Sequence, residues 1–321
     1  MSGDECLNRG PSWLKTLAKE ASKKIWKEET PFTDPEWVQK LKEKFALLPE
    51  GNIEFNVENQ IKLFKLLSKY FSEVNDPSKW KYFKDNPRFS DSDAVVLYAF
   101  IRHFKPRRIV QIGSGHSTMV MLQAIEENEK EQRQQLQEQQ PTLAGNSNNP
   151  VLSNAPSKFK SSPKVLLTVL DGRGLDNLED LKSHHSLKLL EQDLDTADMS
   201  IFTTLHERDL LFTETSHVVK LYGDVAVLYT LILPALKRGC FVHLHGIFLP
   251  TDYPSRWVIE KEFPYSEQLI TAAFLYGNRY FDIAYAPWAL LNSPEGKALI
   301  ESTVDFMHSR YDSSFYIVKS R

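Results

Sequence analysis

Cysteine is scarce in this chain. Cys6 and Cys240 are the two among 321 residues, which rules out a disulfide framework, and Cys240, inside the apolar run Cys240-Phe241-Val242, reads as a small buried hydrophobe. Long apolar runs are missing as well: no window approaches the eighteen or so residues a membrane helix needs. The first residues, with Asp4, Glu5 and Pro11, lack the basic patch and unbroken apolar core of a secretory leader. A cytoplasmic, reducing setting without a transmembrane segment is therefore expected. Nor does charge of one sign dominate. With 39 Lys and Arg against 42 Asp and Glu the net charge is −3, so there is no global basic field and nucleic acid is not expected as a main partner. A serine-hydrolase elbow is also lacking, because Gly113-Ser114-Gly115-His116-Ser117 is not the serine-centred G-x-S-x-G pattern.

What the chain does contain is enough apolar residue, 41%, for a sizeable core, and a length that suits one large domain with appendages. Helical spacing of Leu14, Leu17, Ala18, Ala21 and Ile25 predicts an amphipathic helix from Ser12 to about Glu29, suited to docking on the globule or a partner. Further helices are expected over Glu36 to Leu48 and Val57 to Phe71, giving an N-terminal helical extension over 1–84. A main domain over 85–321 follows. It opens on a helix from Ser90 to Phe104, capped by Asp91-Ser92-Asp93. Buried strands are expected at Ile109 to Ile112, Val165 to Leu170, Ser186 to Leu190, Asp209 to Phe212 and Phe241 to Leu244, alternating with helices. That alternation argues a parallel α/β sheet with helices on both faces. The helix after Gly115 loses its apolar period near Glu127, and the Glu/Gln-rich and then Asn/Ser/Pro-rich stretch of about 127–164 is expected to be a disordered insert. Phe281 to Ala286, a helix from Pro294 to His308 and the alternating run Ser314 to Lys319 close the chain. The last is expected as an antiparallel edge strand.

Ile109-Val110-Gln111-Ile112-Gly113-Ser114-Gly115-His116-Ser117 is an apolar strand that breaks into a glycine turn and enters a helix. Such a turn brings bare backbone against a ligand where helix-terminal N–H groups are free. Gln111, Gly113, Ser114, Gly115, His116 and Ser117 are therefore candidate binding residues. Asp171, at the tip of the second strand, suits the hydroxyls of a ribose, and Asp193, after the third, suits an adenine amino group. Glu214, Ser216 and His217 follow the fourth strand on the same sheet edge. An imidazole titrates near neutral pH, so His217 is a candidate general base. His243 and His245, two apart on a strand, share a face and could ligate a metal with His217 or Glu214; His245, at the strand tip, is the better placed for chemistry. The aromatic, proline-stiffened loop Phe248 to Trp257 suits a substrate lid.

Arg102 to Thr118, Asp209 to Lys220, Gly239 to Trp257 and Glu267 to Leu275 resemble, in that order, segments of the class I S-adenosylmethionine-dependent methyltransferases. The relevant subfamily is one of mostly bacterial proteins thought to methylate small molecules or sugars. The resemblance implies a Rossmann-like, mostly parallel seven-stranded sheet with the last strand antiparallel, plus extra N-terminal helices here. It implies S-adenosylmethionine over the glycine turn: Gly113, Ser114 and Gly115 would seat its methionine part and Asp171 its ribose. O- or N-methylation of a small-molecule or sugar-like acceptor would follow, with His217 or His245 as base and Glu214 beside them. Three acids of the pattern are altered: Gln111 and Gly246 stand where the subfamily has carboxylates, and Glu214 where it has aspartate. Gly246 can bind no cation, so no metal is expected. A catalytically weakened, ligand- or partner-binding relative is the alternative reading. The acceptor is not legible, and the oligomeric state, a homo-oligomer included, stays open.

Overall fold

The computed structural model describes residues 53–74, 89–138, 165–172, 181–254, 257–258, 261–303 and 313–321. The helices expected over Ser12 to Glu29 and Glu36 to Leu48 lie outside the described residues, as does most of the insert. In chain order, the main elements are α1 (Val57–Leu67), continued by a 3₁₀ turn over Ser68–Val74, then α2 (Asp91–Phe104), β1 (Arg108–Ile112), α3 (His116–Glu138), β2 (Leu166–Leu170) and β3 (Leu187–Leu190). After these come β4 (Leu210–Thr213) and α4, in which the α-helical Asp224–Val227 and Leu233–Ala235 flank a π-helical Leu228–Ile232. The remainder is β5 (Phe241–Leu244), α5 (Glu267–Leu275), β6 (Phe281–Tyr285), α6 (Pro287–Leu291), α7 (Pro294–Thr303) and β7 (Phe315–Lys319). None of the described helices is long and apolar enough to cross a membrane.

The strands form one sheet in the order β3-β2-β1-β4-β5-β7-β6, parallel except for β7, which is antiparallel to both its neighbours. Successive side chains on a strand point to opposite faces, and the core divides accordingly. Ile109, Leu210 and Phe212 pack with α1, α2 and α3 on one face, while Val110, Leu211 and Val242 pack with α4 on the other. Both faces are thus dry, which is why the central strands read as mostly apolar runs, with Gln111 in β1 and His243 in β5 as buried polar exceptions. Cys240 is fully buried, and burial pushes its thiol up to about 12, in keeping with a small core hydrophobe. An irregularity in the β6–β7 register lets Ile283 face one core and Tyr285 the other.

Two expectations need correction. The helix after the glycine turn does not end near Glu127 but runs to Glu138. Glu, Gln, Lys and Arg are good helix formers without any apolar period, and Arg102 and Lys105 of the neighbouring α2 segment both bind Glu131 at 3.0 Å. The last strand is not an edge: β7 sits between β5 and β6, leaving β6 outermost. The described part of the N-terminal extension also belongs to the main core, since Ile61, Phe64, Leu67 and Phe71 join the same cluster as α2 and β1.

The chain order steps from β1 outward through β2 and β3, then returns to β4 and β5 on the other side. The carboxyl ends of β1 and β4 therefore diverge around a crevice, the place where open α/β sheets take their ligands.

Candidate functional site

Gly113 makes the turn after β1. Its φ of +79° is one that side-chain-bearing residues rarely adopt, and a Cβ there would lie 2.6 Å from the carbonyl oxygen of Glu214. Its N–H donates to Leu170 O at 2.9 Å, so the turn is wedged between the ends of β2 and β4. Gly115 differs: a Cβ added there would meet no atom within 4 Å, so the space above the turn is open. Ser114 donates to Asp171 Oδ2 twice, through N–H (2.8 Å) and hydroxyl (2.7 Å). Asp171 thus faces the glycine turn and braces it. Asp193 lies against the next residue, Gly172, where an added Cβ would fall 2.1 Å from Asp193 Oδ1.

Gln111, which sequence reasoning placed among the binding residues, is fully buried. Its amide nitrogen donates to Ser117 Oγ and its amide oxygen accepts from Thr118 Oγ1, both at 3.0 Å. The side chain ties β1 to the first turn of α3, and Ser117 is buried with it; His116, in the same turn, is partly exposed.

His217 has the most elaborate support. Its backbone is left-handed (φ 60°), a conformation costing a non-glycine residue about 1 kcal/mol or more, and persisting only when the surroundings impose it. Here they do. Its N–H donates to Thr215 Oγ1 (3.0 Å), and its carbonyl accepts from the N–H groups of Ser266 (2.8 Å) and Glu267 (3.1 Å) at the start of α5. The imidazole Nδ1 meets Glu267 Oε2 at 2.8 Å, and Thr215 donates to that same oxygen at 2.6 Å. Glu267 is 1% exposed, and its other oxygen has no hydrogen-bond partner among the described residues. Burial alone would lower the His217 pKa; the Glu267 bond and charge, helped by Glu214 and Asp224, outweigh it and raise the value above the ordinary imidazole range. With Nδ1 committed, Nε2 is left without a protein partner among the described residues.

Gly246, with φ +75°, completes this pocket. A Cβ there would lie 2.8 Å from His217 Cε1 and 3.0 Å from Nδ1. The imidazole therefore rests on bare backbone at the tip of β5, in the space that a carboxylate side chain at 246 would need. Tyr265 flanks the ring at 4.8 Å.

The other histidines behave differently. His243 is fully buried, stacked on Phe212 at 4.1 Å, and its Nε2 meets Ser314 Oγ at 2.8 Å. Burial holds it well below the ordinary range, so it stays neutral. His245 lies 6.3 Å from His217 between ring centres, makes one long contact to Ser313 Oγ (3.4 Å), and leaves Nδ1 without a partner among the described residues. The two do share a face, as their spacing predicts. Glu214 sits partly exposed between the glycine turn and His217, its N–H extending the β1–β4 pairing through Ile112 O (3.0 Å). Among the described residues no group of three or more His, Cys, Asp or Glu side chains is arranged to hold a metal.

The loop expected as a lid is tethered where it is described: Gln268 accepts from Phe248 N–H (2.7 Å) and donates to Thr251 O (3.1 Å), and Tyr253 OH accepts from Gln268 N–H (2.9 Å). Glu267, Thr215 and Tyr265 were not singled out from the sequence. The available signal for Glu267 was an acid opening a helix inside a segment shared with the resembling family.

Residues 110–247 match the family described as "Methyltransferase domain". A protein of Archaeoglobus fulgidus described as uncharacterized is 31% identical over 103 residues, covering 29% of this chain and 47% of that protein. The chain thus spans about half the length of this curated relative. Among solved structures, the S-adenosylhomocysteine-bound methyltransferase PaMTH1 of Podospora anserina has 12% identity and a TM-score of 0.34, covering 90% of this chain and 97% of that one. The O-methyltransferase TomG of Streptomyces achromogenes, in complex with S-adenosylmethionine, has 12% identity and a TM-score of 0.37, covering 88% and 96%.

Proposed function

We propose that this chain, whose residues 110–247 match a methyltransferase-domain family, transfers a methyl group from S-adenosylmethionine to an oxygen or nitrogen of a small-molecule or sugar-like acceptor. The observation that carries this reading is the His217–Glu267 pair at 2.8 Å, seated against Gly246 at the tip of β5, with Glu214, whose carbonyl abuts the glycine turn, three residues before the imidazole.

The turn fits the donor: Gly115 leaves room above it, Ser114 and Gly113 offer backbone, and Asp171 stands at its side. S-adenosylmethionine, when bound, supplies an electrophilic methyl group on a sulfonium. In-line displacement asks of the protein chiefly alignment and the removal of one proton. Glu267 fixes the His217 tautomer with the proton on Nδ1, so the Nε2 lone pair is free to accept the acceptor's proton. The imidazolium so formed is stabilised by the buried carboxylate. Glu214 adds negative charge beside the same ring, favouring a neutral or cationic acceptor over an anionic one.

Calorimetry with S-adenosylmethionine tests the donor site. Asp171→Ala should weaken binding about 10- to 100-fold, the worth of a charge-assisted hydrogen bond; no detectable binding by the wild-type chain would sink the proposal. A pH profile tests the base. Neutral His217 is the active form and its pKa is raised, so kcat/KM should climb with pH through a midpoint above the ordinary imidazole value. In Glu267→Gln the largest raising influence is gone while burial and the weaker pull of Glu214 and Asp224 remain, so the midpoint should move to lower pH while the maximal rate falls. An unmoved midpoint would remove Glu267 from the scheme.

A further inference from the structure

The edge of the sheet opposite the crevice carries a feature that methyl transfer does not use. The loops at 105–108, 206–209, 237–240, 276–280 and 319–321 all meet there, since β7 leaves the sheet where the parallel strands enter it. Backbone hydrogen bonds join them into one rim: Arg208 N–H to Gly239 O (2.8 Å), Gly239 N–H to Lys319 O (2.7 Å) and Ser320 N–H to Tyr280 O (2.8 Å). Asp209 clamps the remaining member, accepting from the N–H groups of Arg107 (3.1 Å) and Arg108 (2.9 Å).

Those loops hold nine lysines and arginines against two carboxylates. Asp209 is buried and spent on backbone, which leaves Glu207 as their exposed acid. Arg107, Arg108, Arg208, Lys237, Arg238 and Arg279 are all exposed, and none has an ion-pair partner among the described residues. With neighbouring strands about 4.8 Å apart, the order β1-β4-β5-β7-β6 spreads them along roughly 20 Å. The crevice edge holds Asp171, Asp193, Glu214 and Asp224 with Lys220 among them, so the net −3 of the chain conceals a partial segregation. Half-buried His103, on the rim side, is held below the ordinary imidazole range by partial burial and by the positive charges of Lys69 and Arg208.

The row ends in a cavity of about 480 Å³ lined by Tyr276, Arg279, Tyr280 and Arg321, with both tyrosines 61% exposed. Cations in file leading to exposed aromatic rings are the combination that tracks a sugar–phosphate backbone and stacks its bases. A lipid surface is the poorer match, because the most exposed aliphatic side chain, Leu221, lies on the opposite edge with Val219, and Leu166 at the start of β2 is the aliphatic that the strand ends expose on the rim side. We propose that this rim binds single-stranded nucleic acid, phosphates lying along the row from Arg107 to Arg279 and a base against Tyr276 or Tyr280.

The test is fluorescence anisotropy of the full chain with labelled twenty-nucleotide oligo(U) and oligo(dT). If about five phosphates are neutralised, affinity should fall on the order of 100-fold between 50 and 200 mM salt. Arg208→Glu/Arg238→Glu/Arg279→Glu should lose at least about tenfold in affinity with an unchanged melting temperature. Tyr276→Ala/Tyr280→Ala should weaken binding and leave the salt slope intact, which separates stacking from charge and gives a second readout should the triple variant misfold. No binding at 50 mM salt, a triple variant that binds like the wild type, tighter binding to a duplex of the same length, or equal affinity for phosphatidylserine vesicles would each overturn the proposal.

Discussion

Replacing His217 by alanine should lower methyl transfer by about 10²- to 10⁴-fold, the usual worth of a positioned general base. Binding of S-adenosylmethionine should stay within about twofold of wild type, since an interaction made only as the proton moves affects kcat rather than donor affinity. The expectation rests on the orientation of the ring. Nδ1 is held by a carboxylate that is itself 1% exposed, and the left-handed backbone at His217 is fixed by Thr215, Ser266 and Glu267. His245→Ala should cost much less, because among the described residues the His245 imidazole has no carboxylate partner and meets polar groups through one 3.4 Å contact. Labelled-donor transfer assays on both variants discriminate: a larger loss in His245→Ala than in His217→Ala would move the base to β5.

Gly246→Asp should reduce activity to near the His217→Ala level, although it restores the residue type of the resembling family. At φ +75° a side chain is strained by about 1 kcal/mol, and a Cβ 2.8 Å from His217 Cε1 forces the ring off its rest, adding an overpacking cost of about 1–3 kcal/mol. The displaced imidazole can no longer keep its 2.8 Å contact with Glu267. Urea unfolding and kcat should therefore fall together. A variant as stable and active as the wild type would mean that the pocket accommodates both side chains, and that Gly246 is not shaped around the histidine.

The strands were legible because a sheet covered on both faces is mostly apolar, and Leu210 to Phe212, or Ile109 to Ile112 apart from Gln111, show this without help from their neighbours in space. The glycine turn was legible for a similar reason: its backbone requirement is local. The C-terminal half of α3 was not, because its stability comes from propensity and from ties to Arg102 and Lys105 rather than from an apolar stripe. The place of β7 was not, because strand order is settled by pairing across the sheet and leaves no mark on a single strand. In the candidate site, His217, Glu214 and Asp171 announced themselves at strand tips. Glu267 did not, being fifty residues from the imidazole it meets. Gln111 has the position of a ligand-binding residue and the burial of a strut.

The register irregularity in β6 reaches further than the strand. By turning Tyr285 toward the face occupied by α1, it lets Phe64 stack on that ring at 6.4 Å, while Gln60 Oε1 accepts from Ala286 N–H at 2.7 Å. A fragment started at residue 85, where the main domain was expected to begin, would leave a greasy flank and a bare amide facing water beside the outermost strand. Such a fragment should clump with copies of itself, and anyone expressing the sheet-bearing part alone would need to begin ahead of residue 57.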